Sequence, residues 1–227
     1  MKSFVRNLSS PAEFCLIILI CFVFAIAGSI EVVVRHFRHI TQRQFMFPDR
    51  ILPLVMGYEL LALAAVFWIG RVRGWSFFSF GFRISWATTG VGILLFGGGA
   101  LFLKFVAPAG MIDAAGRPGP LSGVATLPVV LLFCVINPFF EETMETGYFV
   151  HRLQGHGMWS AVLASACFRA VLHAFFGLMG MALVLCVGVV FGLVYWRWRS
   201  LWPLLLAHAL MDYMLLRPLI GSGAMGV

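Results

Sequence analysis

Three carboxylates arrive within five residues, at Glu141, Glu142 and Glu145, just after an apolar run from Ala125 to Val135 that carries no charge. Inside a bilayer a charged side chain costs about 2.5–3.5 kcal/mol on insertion scales, so chains place one there where function asks for it. On an α-helix, Glu141 and Glu145 share a face with Glu142 beside them. Two more ionisable pairs lie in later apolar stretches at the same four-residue spacing, Arg169 with His173 and His208 with Asp212. Carboxylates and imidazoles together suit general acid–base chemistry. No serine or cysteine stands in a recognisable nucleophile motif, so covalent catalysis is not indicated. Histidine and carboxylate could also hold zinc or iron. Neither His-Glu-x-x-His nor the Glu-x-x-His of di-iron bundles occurs. Water activated directly by carboxylate and imidazole remains, with the other pair stabilising an oxyanion, which amounts to peptide hydrolysis without a covalent intermediate.

These residues need helices to bring them together. Of 227 residues, 61% are hydrophobic and 11% charged, with a mean hydropathy of +0.97. That composition excludes a water-soluble domain and identifies an integral membrane protein with one helical bundle. The formal charge of +7 sits mostly between apolar runs and reads as membrane-flank charge; no nucleic-acid partner is expected. All five cysteines lie inside apolar segments without metal-knuckle spacing, and no disulfide is inferred.

The hydropathy pattern predicts an all-α bundle of about seven spans forming one domain over 1–227. The spans are Phe14 to Val34, Ile51 to Ile69, Thr88 to Val106, Ala125 to Leu153, Met158 to Phe176, Leu178 to Trp196 and Leu201 to Leu216. Glu59 lies near the middle of the second, as an interhelix hydrogen-bonding group or an accessory site residue. The aromatic connector from Arg71 to Trp86 is expected at the interface. Gly90, Gly92 and Gly97 to Gly99 allow close approach of a helix, and Pro138 should kink the fourth span. Lys and Arg divide almost evenly between the two sides, so the positive-inside rule barely orients the chain.

Depth links the three polar groups. Counted from the face where the fourth span ends, Glu141 is 12 residues from Leu153 and Arg169 is 11 from Met158. His208 and Asp212 are 8 and 12 from Ser200. At about 1.5 Å per residue they share a layer roughly 10 Å thick. One site is expected, opening toward the face that carries the loops after spans four and six.

Glu141-Glu142-x-x-x-Thr146-Gly147-Tyr148 resembles the Glu-Glu-x-x-x-Arg-Gly signature of the CPBP intramembrane proteases, also called the ABI or CAAX-processing family, which includes the type II CAAX prenyl endopeptidases. Ser165-Ala166-Cys167-Phe168-Arg169-x-x-x-His173 resembles their second motif. Gly192-Leu193-Val194-Tyr195-Trp196, followed by Ser200-Leu201-Trp202-Pro203 and His208-x-x-x-Asp212, resembles the third. The family-like core is about 125–216. The resemblance implies that Glu141 and His173 activate water, that His208 and Asp212 form the oxyanion site, and that Glu142 supports Glu141. Glu145, Arg169 and Thr146 are supporting residues, with Thr146 standing where the motif has Arg. Arg169 is expected to replace that missing cation.

The reading is therefore a glutamate-dependent intramembrane endopeptidase acting on peptides or membrane-protein tails in the bilayer, located in a bacterial cytoplasmic membrane. It needs no cofactor, with zinc as the lesser alternative. A catalytically degenerate chaperone, immunity factor or scaffold is the first rival, favoured by Thr146. A proton-coupled or metal transporter is the second, although transporters generally carry polar breaks in both halves.

Overall fold

The computed structural model describes residues 2–37, 51–106, 125–174, 177–217 and 220. Most of the polar connector expected over 35–50, the loop expected over 108–123 and most of the tail after Arg217 lie outside these residues. A short helix α1 (Lys2–Arg6) leads into α2 (Ser10–Phe37) and α3 (Ile51–Arg73). A 3₁₀ turn (Phe77–Phe80) precedes α4 (Trp86–Val106). Helix α5 (Leu127–Glu141) continues through a π-helical segment (Glu142–Tyr148) into α6 (Phe149–Leu153). Helices α7 (Met158–Leu172), α8 (Gly177–Trp198) and α9 (Trp202–Leu216) follow. The fold is an all-α membrane bundle, and no strand occurs among the described residues.

Among the described residues five helices are long and apolar enough to cross a bilayer, and α7 and α9, at 15 residues, are shorter apolar helices. Together they stand at the places of the seven expected spans. At 1.5 Å per residue each short helix is about 22 Å long, below the roughly 30 Å of a hydrocarbon core. Past the end of α7 the apolar character of the sequence continues to Phe176. Large side chains such as Phe24, Leu61, Leu94, Phe105 and Val135 face outward. In water they would be a liability; against lipid tails they are ordinary.

The continuous rod α5–π–α6 forms the centre. Its Phe140, Met144 and Tyr148 are buried among Ile17 and Phe22 of α2, Val66 of α3, Leu172 of α7, Phe191 and Tyr195 of α8 and Leu204 of α9. Helices α7 and α8 pack as one pair, and α4 and α9 as another. Glycine makes both contacts close. A Cβ at Gly188 would meet Ala166 Cα at 3.0 Å, and one at Gly192 would meet Val162 Cγ1 at 2.8 Å. On α4, Gly92 and Gly99 serve α9 in this way, whereas Gly90, Gly97 and Gly98 face open space. Without water inside a bilayer to drive apolar association, such close packing and interhelical hydrogen bonds hold helices together.

The aromatic connector does more than lie at the interface. Phe80 is buried beside Tyr148 and His151, and its carbonyl accepts a hydrogen bond from Tyr195 Oη at 2.9 Å. Gly81, at φ 85°, accepts a hydrogen bond at its carbonyl from Leu201 N–H at 2.9 Å. A side chain there would strike the Arg199 carbonyl, so both the backbone angle and the space require glycine. On the same side Glu13 of α2 pairs with Arg73 of α3 at 2.8 Å and with Arg152 of α6 at 3.1 Å, and accepts from Trp75 Nε1 at 2.9 Å. This cluster fixes the near ends of three helices. All five cysteines are free thiols.

Candidate active site

Proline lacks the N–H that would bond to residue i−4, so Pro138 interrupts the regular ladder of α5. Four residues later the π-helical segment begins. Its bonds span five residues instead of four, which widens the turn and changes which side chains share a face. Phe149 N–H bonds to the Met144 carbonyl, and Ser165 Oγ donates to the Glu145 carbonyl at 2.6 Å. Such π segments occur mostly at functional sites. An α-helical reading pairs Glu141 with Glu145. The structure instead joins Glu142 and Glu145 through Arg169 and turns Glu141 toward the histidines.

The result is a site in two tiers. In the lower tier, Glu142 and Glu145 are 0% and 1% exposed at the side chain and Arg169 5%. Arg169 Nη2 donates to Glu142 Oε1 at 2.7 Å, and Arg169 Nε lies 2.9 Å from Glu145 Oε2. Thr146 Oγ1 donates to Glu142 Oε2 at 2.9 Å and lies 3.4 Å from Arg169 Nη2. The guanidinium also stands 5.7 Å from the centre of the Phe191 ring. Burial of two carboxylates beside one cation is tolerable only with such close pairing. Arg169 thus occupies the neighbourhood of position 146 from a different helix.

In the upper tier Glu141, His173, His208 and Asp212 keep 14–17% of their side chains exposed. Glu141 Oε2 has no direct hydrogen-bond partner. It stands 3.9 Å from His173 Nε2 and 3.8 Å from His208 Nε2. His173 is the residue that ends α7, and its Nδ1 lies 2.9 Å from the Arg169 carbonyl. A carbonyl only accepts, so that contact puts a proton on Nδ1 and turns the Nε2 lone pair toward Glu141. His208 joins the tiers: its Nδ1 is 2.7 Å from Glu142 Oε1, and its Nε2 is 3.5 Å from Asp212 Oδ1. Asn137 Nδ2 donates to the other Asp212 oxygen at 3.1 Å.

All eight candidate residues therefore lie in one region, drawn from the central rod, α7 and its end, and α9. Asn137 was overlooked as a contributor. The available signal was its position one turn before Glu141, as a polar residue in an apolar run. Glu59 is buried, and its Oε2 has no hydrogen-bond partner.

On the side of the loops after α6 and α8, Phe80, Tyr148, Tyr195 and Leu201 are each at most 2% exposed. Because α7 stops at Leu172, one wall of the site ends at the level of the site itself.

No curated protein and no solved structure matches the chain. The model of the Rce1-like family, described as type II CAAX prenyl endopeptidase Rce1-like, matches residues 123–214. That segment holds the central rod, both short helices and all three motifs. Over residues 123–214 this integral membrane protein is thus similar to the Rce1-like family, the family that its three motifs resemble.

Proposed function

We propose that this chain is a glutamate-dependent intramembrane endopeptidase that hydrolyses peptide bonds of membrane-associated peptides or protein tails. One observation carries the reading: a Glu141 carboxylate oxygen faces the Nε2 atoms of His173 and His208 at 3.9 and 3.8 Å. Polar groups just beyond hydrogen-bond reach are a spacing that a single water oxygen bridges. Glu141, seconded by His173 Nε2, takes a proton from that water as its oxygen attacks the peptide carbonyl. His208 Nε2–H then donates to the developing oxyanion. The proton held at the Glu141–His173 pair passes to the leaving amine as the C–N bond breaks.

Asp212 has a different part from a donor. As a carboxylate it accepts only, so it orients His208, and Asn137 steadies it in turn. Glu142 holds the opposite edge of His208 and is itself held by Arg169 and Thr146. The proposed reaction needs no metal.

Comparative proteomics of membranes from cells carrying wild type or Glu141→Gln tests the reading. The amide keeps the shape of the side chain but does not accept the proton. At least one intact membrane-associated protein should accumulate with the variant, and its cleavage product should disappear. Identical peptide profiles at matched expression would reject proteolysis and favour the chaperone or scaffold role that Thr146 suggests.

A further inference from the structure

A second feature lies away from the carboxylates, where α1 meets the end of α3. A cavity of about 580 Å³ is lined there by Lys2, Ser3, Arg6, Asn7, Trp68 and Arg71, with Val72 at its wall. Three lining residues are cationic, two offer neutral polar groups, and none is acidic. Its volume lies within the usual range for small-ligand sites. Glu13, on this side, is buried and already shared by Arg73 and Arg152, and no ion pair of Lys2, Arg6 or Arg71 occurs among the described residues. Lys2, Arg6 and Arg71 therefore keep their charge for a ligand. Arg71 is steadied from behind by the Phe67 ring, 5.8 Å away.

The floor of the cavity continues into an apolar track. Below Trp68 on the same stripe of α3 stand Ala64, Leu61, Gly57 and Leu54, all exposed. Gly57 has open space where a Cβ would point. The stripe leads from the cationic mouth along the lipid-facing side of α3, and its small residues alternate with leucines. Phe4 of α1, 65% exposed, extends the apolar rim. Trp68 at the junction is the residue type that marks the headgroup level.

We infer that this cavity is a binding site for one anionic phospholipid, its phosphate held by Lys2, Arg6 and Arg71 and an acyl chain lying along Leu61 and Leu54. Basic pockets beside membrane helices take anionic headgroups in this way. A free phosphate would use the cations but not the track, and a zwitterionic lipid would use the track but present its own cation to three others. The inference is independent of whether the carboxylate site is proteolytic.

Native mass spectrometry of the purified full chain, titrated with phosphatidylglycerol, phosphatidylcholine or inorganic phosphate, tests this. Thermal melts in vesicles of the same two lipids provide a second readout. Wild type should hold one phosphatidylglycerol at least about tenfold more tightly than phosphatidylcholine and should melt higher in its presence. Each charge removed should weaken binding by about fivefold, so the triple variant Lys2→Gln, Arg6→Gln, Arg71→Gln should lose about a hundredfold. The comparison variant Arg197→Gln, Arg199→Gln removes charge from the same face but not from the cavity, and should bind within about twofold of wild type. Leu61→Asn should weaken lipid binding and leave phosphate binding unchanged. Equal loss in the comparison variant would mean diffuse surface attraction and overturn the site. Equal binding of both lipids, or saturation by inorganic phosphate alone, would overturn it as well.

Discussion

Replacing Arg169 by methionine keeps most of the side-chain volume and removes the charge. The magnitude follows from the lower tier. Arg169 bonds to Glu142 at 2.7 Å and lies 2.9 Å from Glu145, and all three side chains are at most 5% exposed, so solvent screens neither contact. Breaking a buried pair by removing one partner costs about 3–5 kcal/mol, because the remaining charge is left uncompensated. Here two carboxylates lose the same cation, which argues for the upper end. The cation–π contact with Phe191 adds about 0.5–2 kcal/mol. We expect Arg169→Met to lose about 4–6 kcal/mol of stability, a large part of a typical total of 5–15 kcal/mol. Activity should fall with it, since Glu142 also holds His208. The assay is reversible unfolding in mixed micelles for Arg169→Met, Glu142→Gln and the double variant. Their coupling should exceed about 1.5 kcal/mol, within the range found for residues in direct contact. Thr146→Arg should partly restore the Arg169→Met protein, because position 146 already reaches Glu142 at 2.9 Å. Coupling below about 0.5 kcal/mol, or an Arg169→Met protein as stable and active as wild type, would refute the reasoning and leave the motif arginine unreplaced.

Three further outcomes are expected. His208→Ala should lower kcat on an identified substrate by about 10²- to 10³-fold, the scale of one lost oxyanion donor; an effect confined to KM would move His208 out of that role. Activity should survive exhaustive chelation, and loss on chelation followed by rescue with zinc would place a metal in the mechanism. Gly192→Leu should separate α7 from α8 and cost at least about 1–3 kcal/mol through overpacking against Val162. Gly97→Leu, which points into open space, should be close to neutral in the same unfolding assay.

The sequence by itself determined the class of fold and the composition of the site. Hydropathy is a local property, and a bilayer demands helices wherever a long apolar run crosses it, so the all-α bundle and most helix centres could be read along the chain. Ionisable residues are rare and costly in such runs. Glu141, Glu142, Glu145, Arg169, His173, His208 and Asp212 therefore stood out, and their shared depth announced one neighbourhood. What depends on geometry between helices was decided only by the tertiary structure. The π-helical turn after Pro138 regrouped the three glutamates, because a wider turn shifts faces that an α-helical wheel assumes fixed. Helix α7 ends at Leu172 with His173 as its C-cap, although the apolar run of the sequence goes on to Phe176. Asn137 acquired a partner, and Arg169 its two carboxylates, only when α5, α7 and α9 came together. Charge told the sequence reader that a cation was needed beside Glu142; which helix supplied it was a matter of packing.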